Sequence, residues 1–325
     1  MKNIAVVMGG YSSEKVISMK SGEVVMNFLN HSLYRCFAII IDQDGWRLVE
    51  QSIEYPINKS DFSVTIGSSK ITFDGVFMAI HGAPGENGVL QYYFDQLNIP
   101  YTTSGEEASK MCFDKGRCNK FLKSQGISCA KSLQVHKGQE INLDLIIEKL
   151  ALPCFVKPNS NGSSFGVSKV NTIDQLPKAI EKAFEHDDCV LMESFISGTE
   201  VSCGVHNLNG KVETFPITEI VSENDFFDFE AKYQGKSKEI TPARISSDVA
   251  NEIAAITKRV YHLLNLNGLA RIDFIIMNQK PYLIEANTVP GLSKESIIPQ
   301  QARVSGMSLS DLFNKSVEHM FNSNQ

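Results

Sequence analysis

The sequence predicts an α/β protein of more than one domain that opens on a largely parallel sheet with helices on both faces. The first hundred residues alternate short, continuous apolar runs with amphipathic stretches, the pattern of strands buried on both faces. A chain of 325 residues, 42% of them hydrophobic, is long enough for two or three cores. Farther along, paired apolar runs are joined by turn signals, which marks antiparallel strands instead.

Residues 3–8 form the first strand, and Ser12 or Ser13 can cap a helix that runs to about Asn30. Phe37–Ile41 and Val76–Ile80 are further buried strands. A weaker pattern between Gln43 and Thr72 reads as a hairpin on the sheet edge. Gly88 opens a helix over Val89–Leu97, and Ile99-Pro100-Tyr101 begins another strand. A second unit starts near Ser104, with a helix over Asp114–Ser124 that stops at Gly126. Strands follow at Ala130–Val135 and Cys154–Lys157, then a glycine–serine loop and a strand at Val167–Val170. A helix over Asp174–Glu185 and a strand at Val190–Phe195 close the unit. The third unit starts near Ser197. Its strands Glu200–Val205 and Lys211–Ile217 are joined by the hairpin signal Asn209-Gly210, and a long polar, aromatic loop covers Ser222–Lys238. A helix over Asp248–Leu264, a hairpin over 270–287, and helices over Pro299–Ser305 and Ser308–Phe321 complete the chain.

Composition excludes several classes. A net charge of −6 with no basic stripe argues against nucleic-acid binding. The seven cysteines are odd in number and form no CxxC pair, the usage of a reduced cytoplasmic protein, with Cys154 and Cys203 as small core residues. The seven histidines show no HxxxH spacing. Ile4–Met8 is too short for a secretory leader and ends at Gly9-Gly10, and no apolar run approaches the roughly 18 residues of a membrane helix. A soluble, cytoplasmic protein without membrane or nucleic-acid partners is expected.

The hairpin over 270–287 carries the clearest chemistry. A three-residue loop at Asn278-Gln279-Lys280 sets Asp273 opposite Glu285 and Arg271 opposite Asn287, all on one face. Ile272, Phe274, Ile276, Tyr282, Ile284 and Ala286 then share the other. Directly opposed acids destabilise a sheet unless neutralised. Two carboxylates and an amide suit Mg²⁺ on a substrate phosphate; the alternative is an ion cluster neutralised by Arg271 alone. Phe155–Val167 is a strand, a loop of small residues and a strand, which can bring backbone N–H groups and Lys157 against phosphate; the alternative is an ordinary hairpin. No GKS or GKT follows its glycines, so it is not a Walker A loop. Lys115 opens a helix and is either a second phosphate contact or a solvated lysine.

Gly9–Glu14 and His81–Gly88 both lie at carboxyl ends of strands, where ligands of open α/β sheets sit. Glu14 is either a partner of the helix dipole or a ligand for a substrate ammonium. His81 is either structural or a substrate contact. Asp225–Tyr233 is a lid or a loop pinned by its phenylalanines, and Pro290-Gly291 is a turn or an N–H donor to an oxyanion.

In order along the chain, the segments GGYSSEKVISMKSG, HGAPGENGVLQ, Asp114-Lys115, FVKPNSNGSSFGVSKV, MESFISGTEVS, DFEAKY, ARIDF and EANTVPGLSKES resemble the D-alanine–D-alanine ligases of the ATP-grasp superfamily. They span residues 9–297. The resemblance implies a three-domain ATP-grasp architecture, with an N-terminal parallel α/β domain followed by two α+β domains that clamp ATP between their sheets. These are an N-terminal substrate domain (1–103), a central subdomain with the phosphate loop (104–196) and a C-terminal subdomain with lid and metal site (197–325). It implies ATP as co-substrate and two Mg²⁺ ions, or Mn²⁺, on Asp273, Glu285 and Asn287. Lys115, Lys157 and Ser164 would contact phosphates, Glu193 the adenine, Glu200 the ribose and Lys232 the transferred phosphate. Glu14 would bind the first D-alanine's ammonium and, with Ser163 and Tyr233, hold the loop closed. Arg271 and the Gly291 N–H would stabilise the oxyanion. Ser296 with Ile297 would take the second D-alanine, and His81 would contact substrate. D-alanyl-D-alanine for peptidoglycan is the implied product, and a homodimer through the first domain the implied assembly. Tyr233 favours a dipeptide over a D-lactate ester, while D-serine as second substrate stays open. A nucleotide sensor without catalysis is the reading from another class. The chain departs from the family at Phe227, Phe229, Ser194, Lys294 and Glu295.

Overall fold

The computed structural model describes all residues except 161, 163–164, 223–236 and 323–325. Strand β1 (Lys2–Gly9) is central to the first sheet because it is apolar on both faces. It pairs in parallel with β2 (Tyr34–Asp42) and β7 (Gly75–Met78), and Ile4 to Val7 have no exposed surface. The edge expected as one hairpin is four antiparallel strands: β3 (Gly45–Glu50), β4 (Ile53–Asn58), β5 (Ser63–Ile66) and β6 (Ser69–Ile71). The turn between β3 and β4 places Gln51 and Ser52 at φ 50° and 66°. Neither is a residue type that announces left-handed backbone, so the turn left no signal. Helices α1 (Lys15–Phe28) and α2 (Val89–Gln96) flank this sheet. The strand expected after Ile99 is a single bridge from Tyr101 to Val76.

Two short helices were not expected. In α3 (Glu106–Phe113) the buried positions are Ala108, Ser109 and Cys112, too small to mark an apolar stripe. In α5 (Leu143–Leu150) only Ile146 and Leu150 are buried, although Asn142 caps it by accepting from the Leu145 N–H at 3.0 Å. Helix α4 (Lys115–Ser124) follows α3 directly. The second sheet is wholly antiparallel, in the order β10 (Ser168–Val170), β9 (Cys154–Pro158), β11 (Cys189–Ser194), β8 (Ser132–His136), with α6 (Leu176–Phe184) packed on it.

The third sheet runs β15 (Ser237–Ile240), β14 (Thr218–Ser222), β12 (Thr199–His206), β16 (Ala270–Met277), β17 (Lys280–Asn287), with β13 (Glu213–Thr214) also on β12. Of the strand expected over Lys211–Ile217 only β13 forms; Pro216, lacking an N–H, lies between it and β14, which begins at Thr218. Helices α7 (Ser247–Leu263), α8 (Ile297–Val304) and α9 (Leu309–Asn322) follow.

Cores do not follow chain order. Cys112, Cys118 and Leu122 of α3 and α4 pack with Val201 and Ile272 of the third sheet and Ile253 of α7. Leu312, Phe313 and Val317 of α9 pack with Ile4, Val6 and Phe77 of the first. All seven cysteines are free, with Cys154 and Cys203 in the core. No helix among the described residues is long and apolar enough to cross a membrane.

Candidate functional site

The β16–β17 hairpin places Asp273 opposite Glu285 and Arg271 opposite Asn287, as expected, by a different route. Met277 pairs with Lys280, so the turn has two residues, Asn278 and Gln279, at φ 52° and 61°. A bulge at Ile284 restores the register before Glu285. Leu283 therefore joins Phe274 in the core, at 2% exposure, and Ile284 borders the cleft instead of facing the core.

Asp273 is almost buried and accepts four hydrogen bonds. They come from Arg271 Nε and Nη2 at 2.9 and 2.7 Å, Ser202 Oγ at 2.6 Å and Asn287 Nδ2 at 3.1 Å. Glu285 faces a different cation, Lys115 Nζ, at 3.6 Å. The opposed acids are thus neutralised separately, by Arg271 and by a lysine from α4, and not by Arg271 alone. The Asn287 amide lies between both carboxylates, its Nδ2 at 3.5 Å from Glu285. Turning that amide by 180° would present three hard oxygen donors to one point, which fits magnesium. Among the described residues no group of three or more His, Cys, Asp or Glu side chains is disposed to hold a metal. A cation here would therefore depend on substrate phosphates to complete its shell.

Lys157, on β9, contacts Glu193 of β11 at 2.5 Å, and Asn119 Nδ2 donates to the other Glu193 oxygen at 3.0 Å. Burial alone would depress the Lys157 ammonium, but Glu193 outweighs it and holds its pKa above the ordinary lysine value. Phe155 and Phe195, with ring centroids 5.8 Å apart, form an apolar wall with Val167 and Leu283. Glu200 borders the same space from β12, in register with Ile220 and Ile275.

Asn159, 2% exposed, joins these elements. Its Oδ1 accepts from the Gly116 N–H at 2.9 Å and from Gln134 Nε2 at 3.0 Å, while its Nδ2 donates to Asp114 Oδ1 at 2.8 Å. Its backbone oxygen accepts from the Lys115 N–H at 3.3 Å. The start of α4 is thereby tied to the end of β9. A Cβ at Gly116 would lie 2.9 Å from the Asn159 amide oxygen, so the helix needs glycine there.

Glu14 sits at the start of α1. A side chain on Gly162 would collide with its carboxylate, and one on Gly82 would come within 3.0 Å, so two glycine backbones close around it. Burial first, then neighbouring Glu14, push the carboxyl of Glu86 up to about 8, which leaves it largely protonated at neutral pH. His81 borders the cleft, yet both ring nitrogens meet protein groups, Ser21 Oγ and the Val289 carbonyl, each at 2.9 Å. Burial holds its pKa below the usual histidine value.

Gly291 lies against Ser296, whose Oγ would be 2.8 Å from an added Cβ. Ser296 Oγ also bonds Ser293 Oγ at 2.7 Å, and Ile297 is buried beside it. Gln300 Nε2 donates to the Glu295 carbonyl at 2.6 Å and to the Glu239 carboxylate of β15.

These groups surround one cleft of about 1020 Å³ walled by the second and third sheets and by α1 and the His81–Glu86 loop of the first unit. It brings together Glu14, His81, Lys115, Lys157, Glu193, Glu200, Arg271, Asp273, Glu285, Asn287, Gly291, Ser296 and Ile297. Ser163, Ser164, Lys232 and Tyr233, with the departures at Phe227 and Phe229, lie outside the described residues. Glu86, Asn159, Glu239 and Gln300 had no assigned role. Glu86 had a local signal in its place in the shaped His81–Gly88 loop, and Asn159 in its place in the Phe155–Val167 segment.

Two family models match the chain: the D-ala D-ala ligase N-terminus over residues 3–104 and the D-ala D-ala ligase C-terminus over 121–318. The D-alanine–D-alanine ligase of Flavobacterium johnsoniae is 50% identical over 319 residues, covering 98% of this chain and 99% of that one. Among solved structures, the VanG D-Ala:D-Ser ligase from Enterococcus faecalis aligns with a TM-score of 0.89 at 31% identity, covering 98% of this chain and 99% of that one. The ligase from Bacillus anthracis complexed with ATP aligns at 0.81 and 27% identity, covering 100% and 99%.

Proposed function

The chain belongs to the D-alanine–D-alanine ligase family, and we propose that its cleft joins two D-alanine molecules at the expense of ATP, supplying a peptidoglycan precursor. One observation carries the residue-level reading. Asp273, Glu285 and Asn287 share a face beside Lys115, Lys157 and Arg271, and the Gly291–Ser296 turn closes the same cleft.

Lys115 and Lys157 would hold the triphosphate, with the base against Phe155 and Phe195 near Glu193 and the ribose near Glu200. Ser164 and Lys232 complete the proposed phosphate contacts. Asp273, Glu285 and Asn287 would hold magnesium, which when bound neutralises charge on the phosphates. Glu14 would take the ammonium of the first D-alanine and place its carboxylate in line with the γ-phosphoryl group. Attack by that carboxylate gives an acyl phosphate and ADP, a step that depends chiefly on positioning and charge. The amine of the second D-alanine, held by Ser296 and Ile297, then attacks the acyl carbon. Arg271 and the Gly291 N–H stabilise the oxyanion until phosphate leaves. Ser163 and Tyr233 would exclude water from the acyl phosphate in company with Glu14.

We further propose the division into units 1–103, 104–196 and 197–325, a cytoplasmic location and a homodimer; sedimentation of the purified protein tests the last. Magnesium-dependent ADP release that requires D-alanine, with D-alanyl-D-alanine as product, tests the whole. ATP binding without D-alanine-dependent ADP release would defeat it, and preferred incorporation of D-serine or D-lactate would move the assignment to another second substrate.

A further inference from the structure

We infer that Ser21 and His81 are positioning residues, a buried relay from helix α1 that fixes the backbone of Gly291, and through it Ser296, for attack by the second amino acid. The inference rests on the reading of Gly291 and Ser296 given above.

Both side chains are enclosed, Ser21 at 0% and His81 at 4% exposure. The Val289 carbonyl can only accept, so the His81 Nδ1 facing it at 2.9 Å carries the proton. Nε2 of the neutral ring is then an acceptor, and the Ser21 hydroxyl 2.9 Å away donates to it. With its proton so directed, Ser21 Oγ accepts from the Leu292 N–H at 3.2 Å. Every bond therefore has one donor and one acceptor, running from Leu292 through Ser21 and His81 back to Val289. The two anchored positions bracket Pro290-Gly291, so the relay holds both ends of the segment that carries the oxyanion N–H.

The base of the relay is rigid. One turn earlier on α1, Ser18 Oγ accepts from the Gly9 N–H at 2.8 Å and donates to the Ala79 carbonyl at 2.7 Å. This ties the helix to the ends of β1 and β7. Next to Ser21, a Cβ at Gly22 would lie 2.6 Å from the Met8 side chain, so helix and strand are in close contact there. The first sheet thus sets where a loop of the third unit lies. Gly291 in turn abuts Ser296, so a shift of the bracketed segment displaces both groups proposed to act in the second step. Because the ring nitrogens of His81 are occupied by protein partners, its influence passes through this loop.

The test separates the two half-reactions. Positional isotope exchange in γ-¹⁸O-labelled ATP with D-alanine reports acyl phosphate formation, while dipeptide release reports the complete reaction. Ser21→Ala is expected to lower dipeptide release about 10- to 100-fold, below the full loss of an oxyanion donor. It should raise the KM for the second D-alanine and leave isotope exchange and the KM for ATP within about 3-fold of the parent. His81→Asn should behave alike, and the double variant should be no worse than the more affected single one, since a relay acts as a unit. Should Ser21→Ala fail to fold, the same measurements on His81→Asn decide. Equal losses in exchange and dipeptide release, or no loss in either, would overturn the relay. A parent protein that releases no dipeptide would instead overturn the proposed function.

Discussion

Replacing Asn159 by alanine tests whether the phosphate-facing elements are positioned by that side chain. The substitution removes the acceptor of the Gly116 N–H, one of the donors at the start of α4 that no helical carbonyl can satisfy. It also frees Gln134 Nε2 and one Asp114 contact, but Gln134 is exposed and Asp114 still accepts from the Arg117 N–H at 3.0 Å. The dominant cost is a single buried donor left unsatisfied, about 1–3 kcal/mol, with a smaller share for the space left by the side chain. For a chain of 325 residues that lowers the Tm by roughly 1.5–4.5 °C. Helix α4 carries Lys115 at its first residue, so the relaxation appears at the triphosphate. A 10-fold rise in KM for ATP corresponds to about 1.4 kcal/mol, within what that bond supplies. Thermal melts with steady-state kinetics in ATP and in D-alanine measure both. A lowered Tm with an unchanged KM for ATP, or equal rises in KM for ATP and D-alanine, would refute the claim that Asn159 places Lys115.

Glu285→Gln should abolish ADP release while the circular dichroism spectrum stays that of the parent, and appreciable activity at ordinary magnesium would remove Glu285 from the metal face. Arg271→Ala should slow dipeptide formation by two to three orders of magnitude, from about 3–4 kcal/mol of lost oxyanion stabilisation; a near-normal rate would end that assignment. Stability should fall on acidification through buried His206, which is 3% exposed, packs at a tilt against Phe215 and has an Nδ1 with no hydrogen-bond partner among the described residues. Burial lowers its pKa in the folded state, with Lys315 and His319 acting the same way and Glu213 opposing. The unfolded chain therefore binds more protons below a pH of about 6.5, and stability present above that value declines as pH falls through it. The Tm of His206→Phe should drop less than that of the parent between pH 7.5 and 5.5, and parallel slopes would exclude His206 as a contributor.

Much of the site was legible because it depends on β-strand periodicity. Asp273 and Glu285 lie at positions whose pairing follows from one hairpin, and that pairing survived a mistaken turn. The three-residue loop read at Asn278-Gln279-Lys280 is a two-residue turn, and the bulge at Ile284 supplies the missing step. Core assignments between turn and bulge were accordingly exchanged, Leu283 for Ile284. Helix α3 leaves no 3.6-residue signal because its buried side chains are small, whereas α5 carries one in Leu143, Ile146, Ile147 and Leu150 that the sequence reading passed over. Ser21 and Gln300 were invisible as functional groups because their partners are distant in the chain. Ser21, for example, meets Leu292 across 271 positions, and no local pattern reports that.

The same distance explains why the cleft behaves as one object. Its acids belong to the third sheet, and its phosphate lysines enter on α4 and β9. The loop that closes the second amino-acid subsite is held from α1 of the first unit. Helices α3 and α4 share a core with the third sheet, and α9 shares one with the first, so the parts of the cleft built on those two units are buttressed by chain from another unit, while the second sheet keeps a core of its own. Moving the first sheet relative to the third would separate Ser21 from Leu292 and His81 from Val289 together. It would also expose the buried faces of Leu312 and Phe313, at roughly 1.5–3 kcal/mol for each side chain. That burial, far from any reacting atom, is what gives bonds of a few kcal/mol the leverage to hold Gly291 in place.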